Sequence, residues 1–185
     1  MASSSVMDRI STAEYFAGPV TTARQSLIDG VHVREPSPQY GHQAAVTRLT
    51  VLLDHVARDG SKGLVCVSPL DVVLDAGRAI VLQPDVLFVS AARRHIVSDR
   101  VHGAPDLAVE VLSTRTERRD RLVKLRLYGK YGVRECWLVD THRRSVECVT
   151  FEGRLRRRTF RGGEAIESAT LGPLPFSAAD VFDDL

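Results

Sequence analysis

A mixed α/β fold, with α+β character and a mixed β-sheet flanked by helices, is predicted by three features of this 185-residue chain. Between residues 41 and 58, apolar side chains recur at helical spacing (Ala45, Val46, Leu49, Leu52, Leu53, Val56). Residues 63–67, 71–74 and 79–89 are runs of Val, Ile and Leu punctuated by Pro69, Ala76-Gly77 and Pro84, as strands are. In the second half an apolar run at 106–112 precedes a basic helical stretch and two further strand-like runs, at 134–139 and 145–151. Elements that alternate in this way, without repeats or low-complexity linkers, form layers around one core.

The elements follow in order from their punctuation. Residues 12–16 form a short helix ended by Gly18-Pro19, and 26–34 a strand interrupted at Asp29-Gly30 and broken by Pro36 and Pro38. Asp59-Gly60 ends the 41–58 helix, and Pro84 splits the 79–89 strand. Residues 91–104 are polar and irregular, with His95 and His102, and read as a surface loop. In 106–112 every non-acidic position is apolar, the pattern of a strand covered on both faces. Residues 113–116 offer N-caps for a helix that runs to Tyr131 and stops at Gly132. A turn at residues 140–142 joins the next strand pair; beyond Gly153 a strand at 154–160 and a short helix at 177–182 complete the reading.

With 44% hydrophobic residues, residues 1–185 suffice for one substantial core, so a single domain is expected, its first twenty or so residues flexible. No apolar run approaches the roughly 20 residues of a membrane span, and the N-terminus lacks the basic flank and apolar core of a secretory signal. A cytoplasmic location is expected. Cys66, Cys136 and Cys148 lie at wide spacings inside apolar runs, which argues against a disulfide framework or a zinc knuckle and for buried thiols.

The net charge of +2 decides little, but its distribution is uneven. Arg115, Arg118, Arg119, Arg121, Lys124, Arg126 and Lys130 face only Glu117 and Asp120 in one short stretch, and Arg154, Arg156, Arg157, Arg158 and Arg161 form a second cluster. Such clusters mark either a phosphate-binding face or an ordinary solvated surface.

The carboxylates sharpen the choice. On an extended strand Asp106 and Glu110 share a face but lie roughly 13 Å apart, too far to hold one ion together. If the strand after Pro84 pairs beside the 106–112 strand, Asp85 approaches Glu110 at the ladder spacing of about 5 Å. Carboxylates that close repel unless a cation neutralises them, and Mg²⁺ or Mn²⁺ with oxygen ligands does so. Alternatively, Asp85 and Asp106 follow prolines at strand entries and bond backbone turns. Lys124 either pairs with Asp120 four residues earlier, an exposed contact of about 0.3–0.5 kcal/mol, or turns to the carboxylates to orient water and offset charge at phosphorus.

PDV at 84–86, APDLAVEVLS at 104–113 and TERRDRLVKLRLYGKYGVRECWLVD at 116–140 resemble the Uma-type family of restriction-endonuclease-like proteins in the PD-(D/E)XK nuclease superfamily. The likeness extends to IDG at 28–30, PSPQYGHQ at 36–43 and the closing LGPLPFSAADVF. The resemblance implies a restriction-endonuclease-like mixed sheet and Mg²⁺- or Mn²⁺-dependent cleavage of nucleic acid, DNA ahead of RNA. It assigns Asp85 and Glu110 as metal ligands and Lys124 as the catalytic lysine, because Leu112 stands where the lysine of the motif is expected. Asp106 matches an auxiliary acidic position, and His42 opens the first long helix, where it contacts phosphate or water or satisfies backbone and solvent. Arg115, Arg118, Arg119 and Arg121 are the expected nucleic-acid contacts. Val31 replaces the glutamate that members carry after the IDG turn, so an acidic contribution from that hairpin is expected to be missing.

Cleavage of both strands of a duplex favours a homodimer, although no sequence feature marks a dimer face. A catalytically silent nucleic-acid or protein-interaction module on the same scaffold is the competing reading. A glycosidase is disfavoured because the lone Trp137 sits in a strand-like apolar run rather than on a sugar platform.

Overall fold

The computed structural model describes residues 9–19, 21–113, 117–183 and 185. Helix α1 (Thr12–Ala17) is followed by the hairpin β1 (Gln25–Ile28) and β2 (Val31–Arg34), then by the long helix α2 (Tyr40–Arg58). Strands β3 (Gly63–Val67), β4 (Val72–Asp75), β5 (Ile80–Leu82), β6 (Val86–Ser90), β7 (Val101–His102) and β8 (Leu107–Leu112) lead to a helix over 117–131, here α3. After it come β9 (Glu135–Asp140), β10 (Ser145–Thr150), β11 (Arg156–Arg161), β12 (Ala165–Ser168) and β13 (Gly172–Ser177).

Six strands form the main sheet in the order β11-β10-β9-β8-β6-β3, and five form a second in the order β2-β1-β5-β4-β7. Only β8 and β9 run parallel in the main sheet, and α3 is the crossover between them. The apolar stripe of α2 (Ala45, Leu49, Leu53, Val56) packs on Val86, Leu107, Val109 and Val111 of one sheet face. On the other face Ala108, Leu112, Cys136 and Leu138 pack against Leu125, Leu127 and Tyr128 of α3 and against Ile80 and Leu82 of the second sheet. All six residues of β8 are therefore buried, as a strand with two covered faces requires.

Most expected elements are present, and the exceptions have identifiable causes. Residues 91–104, read as a loop, hold a 3₁₀ turn (Ala91–Ile96) and β7, which pairs in parallel with β4. The hairpin β12-β13 was not expected because Pro173 and Pro175 argue against a strand; both are exposed, while the alternating Leu174 and Phe176 point into the core. Cys136 and Cys148 are buried, Cys66 is partly so, and all three are free thiols. Among the described residues, no helix is long and apolar enough to cross a membrane.

Glu135, fully buried on β9, ties this late hairpin to the main sheet. Its Oε1 accepts from Trp137 Nε1 at 2.8 Å, and its Oε2 accepts from Ser168 Oγ at 2.6 Å and Thr170 N at 2.9 Å. Glu135→Ala strands these donors in the interior, so urea denaturation should show a loss of about 3 kcal/mol. A loss below roughly 1 kcal/mol would mean that the hairpin is held by Ile166, Leu174 and Phe176 alone.

Candidate active site

The β6-β8 register builds the site. Val86 pairs with Val109, so Asp85, one residue before β6, comes opposite Glu110 at the end of the ladder. Asp85 extends that ladder with its side chain: Oδ2 accepts from Val111 N at 2.7 Å. Its Oδ1 lies 2.8 Å from an Arg24 guanidinium nitrogen and 3.4 Å from His42 Nε2. His42 reaches it from the first turn of α2, which begins at Tyr40.

Arg24 and Glu35 flank the β1-β2 hairpin. Asp29 and Gly30 both adopt positive φ, 48° and 80°, in the two-residue turn that such a hairpin favours. Ile28 therefore pairs with Val31 and Gln25 with Arg34, and beyond the ladder Glu35 N donates to Arg24 O at 2.9 Å. Across this mouth an Arg24 nitrogen lies 3.2 Å from Glu35 Oε2.

Lys124 arrives from α3, whose middle turn, Asp120–Lys124, has π geometry, with Leu125 N donating to Asp120 O. A π turn is uncommon and is found preferentially at functional sites. Lys124 is fully buried, with Nζ 2.9 Å from Glu110 Oε2, 2.9 Å from Glu35 Oε1 and 3.4 Å from Asp120 Oδ1. One turn further on, Tyr128 donates its hydroxyl to Glu110 Oε1 at 2.5 Å. Both readings of Lys124 therefore meet in one place: it pairs with Asp120, but in the interior and together with Glu110.

Charge and burial set the protonation states. Burial pushes the Glu110 carboxyl up to about 8, Lys124 counters this, and the neighbouring Asp120, Asp85 and Glu35 add to the rise. Burial also raises Asp85, but the His42 hydrogen bond and the Arg24 charge outweigh it and hold the carboxyl below the ordinary aspartate range. Glu35 behaves similarly: Lys124 and Arg24 more than offset its burial, and its carboxyl is lowered. Burial works against the Lys124 ammonium, yet Glu110, Asp120, Glu35 and Asp85 together raise it above the usual lysine value.

Asp85, Glu110, Lys124 and His42 are thus brought together, and Asp106 is not. Asp106 Oδ2 accepts from Ser90 N at 2.8 Å and its Oδ1 from Arg93 at 3.0 Å, so its partners lie outside the cluster. The basic stretch also divides. Arg119 reaches Glu35 at 3.7 Å, Arg121 is occupied by Glu117 and Glu147 at 3.0 and 2.6 Å, Arg118 is exposed, and Arg115 lies outside the described residues. In the second basic cluster Arg157 pairs with Glu147 and Arg158 with Glu167.

Arg24, Glu35 and Tyr128 were not anticipated, and Asp120 was expected only as a surface partner of Lys124. The hairpin does deliver an acidic side chain: Glu35 enters the cluster four residues after Val31, which corrects the expectation drawn from Val31. Arg24 and Glu35 are equidistant from Asp29-Gly30, and that symmetry was a usable signal.

Among the described residues, no three His, Cys, Asp or Glu side chains are gathered as a ready ligand set; Arg24 and Lys124 lie between the carboxylates instead. The donor chemistry nevertheless fits a hard divalent ion. Asp85, Glu35, Glu110 and Asp120 are all buried oxygen donors, and the cations buried with them, Arg24 and Lys124, are fewer.

The architecture is that of a nuclease-like fold. A solved structure from Anabaena variabilis ATCC 29413, described as "a putative nuclease belonging to DUF820", superposes with a TM-score of 0.80 over 94% of this chain and 98% of that one, at 18% identity. The model of the Uma2 family, described as "Putative restriction endonuclease", matches residues 12–178, and the chain belongs to that family. No curated protein matches it.

Proposed function

We propose that this protein is a metal-dependent nuclease that hydrolyses phosphodiester bonds in nucleic acid. The observation that carries the reading is the buried contact of Lys124 with Glu110 at 2.9 Å, on the strand end where Asp85 stands opposite. Asp85 and Glu110 would hold Mg²⁺ or Mn²⁺, with Glu35 beside them, and the bound ion would supply positive charge at the phosphoryl oxygens.

The remaining work falls to the side chains of this chain. With the carboxylates turned to the ion, Lys124 Nζ would be released from one of its three acidic partners to hydrogen-bond the attacking water and offset the charge that accumulates on phosphorus. Tyr128 holds Glu110 in orientation through its hydroxyl, and Arg24 and His42 keep Asp85 ionised and aimed. A site closed to bulk water strengthens each of these contacts.

Incubation with single-stranded DNA, duplex DNA and RNA, each with Mg²⁺, Mn²⁺ or EDTA, tests the proposal. Cleavage is expected with metal and is lost with EDTA, and Asp85→Asn should lower the rate by about a hundredfold or more. Binding without cleavage under any metal would replace the enzyme by a nucleic-acid-binding module on the same scaffold. Cleavage that survives Asp85→Asn would place the chemistry elsewhere.

A further inference from the structure

Two buried donors near the cluster, Arg24 Nε and Ser68 Oγ, meet no hydrogen-bond partner among the described residues. Both belong to residues that line one groove of about 400 Å³, lined also by Asp85 and by Gln43, Thr47 and Thr50 of α2. Buried polar groups are paired as a rule, so two orphans in one groove call for a missing acceptor.

Both donors are held in place by the cluster itself. Ser68 N donates to the Asp85 carbonyl at 3.0 Å, which pins Ser68 beside the site. The Arg24 guanidinium is anchored on Asp85 and Glu35 at 2.8 and 3.2 Å, leaving Nε for another acceptor. Asp85 cannot supply it, since Oδ1 is taken by Arg24 and Oδ2 by Val111 N. An oxyanion that only accepts hydrogen bonds suits this pair, and charge-assisted bonds from Arg and a hydroxyl are the usual means of holding phosphate. The groove has room for a nucleotide of one strand rather than for a duplex.

We infer that this groove is a subsite for a phosphodiester flanking the scissile bond, whose non-bridging oxygens accept from Arg24 Nε and Ser68 Oγ. The assignment rests on the nuclease reading of the adjacent cluster, and it gives the substrate strand a path along α2 to Asp85. Thr47, exposed on the groove wall, faces the passing backbone.

Fluorescence anisotropy with a labelled single-stranded DNA oligonucleotide, in EDTA and on the Glu110→Gln protein so that nothing is cut, measures the subsite directly. Ser68→Ala and Thr47→Glu should each weaken binding by about tenfold, the first by removing a donor to a charged acceptor and the second by placing a carboxylate on the path. Inorganic phosphate should compete in the Ser68 background less well than in its parent. Thermal melts confirm that both variants fold. Unchanged affinity in both variants, or no binding by the parent, overturns the subsite and leaves the two donors to water. Failure of the nuclease reading shows separately, as absence of metal-dependent cleavage by the unaltered protein.

Discussion

Lys124→Met should abolish most cleavage and also cost the fold about 3–5 kcal/mol, the penalty of removing one partner from a buried ionic cluster. The ammonium is the counter-charge of Glu35 and Asp120 and a hydrogen-bond donor to Glu110, all with buried side chains within 3.4 Å. Methionine matches its length but leaves those carboxylates facing one another. Cleavage should fall by about two to three orders of magnitude, the scale for losing a preorganised charge at the reacting centre. The two effects separate experimentally: urea denaturation reads the first, and single-turnover cleavage at a temperature where the variant remains folded reads the second. The double variant Lys124→Met/Glu110→Gln should be about as unstable as Lys124→Met near neutral pH and equally inactive, because Glu110 carries no charge there for the ammonium to balance. A variant as stable as the parent would mean that Arg24 and Arg119 balance the acids without Lys124.

Glu110→Gln should likewise abolish cleavage, but at little cost in stability near neutral pH. The carboxyl is held up to about 8, so without metal it is already protonated there, and glutamine imitates that state. The pH dependence follows. The folded chain keeps a proton on Glu110 that the unfolded chain releases near the ordinary glutamate value, so the folded state binds more protons between that value and about 8. Stability from this group is complete at the acid end and declines as pH rises through the window. Cation binding requires the ionised carboxylate, so metal affinity and cleavage should climb over the same range and level off above about 8. In the glutamine variant the contribution of Glu110 to the stability slope should vanish. A pH-stability curve of unchanged slope, or cleavage that is flat between pH 6 and pH 8 (about two decades of proton concentration), would remove Glu110 from this role.

How much of this was legible depended on whether a residue's environment is local. The strand 106–112 announced its two covered faces through its own composition, and the PDV run placed Asp85 at a strand entrance, so the pairing of Asp85 with Glu110 could be reasoned from ladder geometry. The membership in the Uma2 family now shown was legible from the same segments. Asp106 looked equivalent to Glu110 by face and charge. What separates them is Arg93, a residue in a stretch that reads as loop and whose turn depends on pairing elsewhere in the second sheet. Arg24 and Glu35 were missed because an acid before a proline and a lone arginine are commonplace until the hairpin register joins them. The arginines of α3 were read as one face because their spacing in sequence is close, yet the helix directs Arg119 to Glu35 and Arg121 to Glu147, toward different neighbours.

The π turn of α3 also fixes the phase of one end of that helix against the other. A π turn is one residue more than an α turn holds, and each residue of helix is worth about 100° of rotation. Were that extra residue deleted, the part of the helix before it would be turned by that angle relative to the part after it. Lys124 and Tyr128 could then no longer both face Glu110 while Asp120 remained alongside. The helix thus stores a phase offset, which sets Asp120 at its start against Lys124 and Tyr128 beyond it.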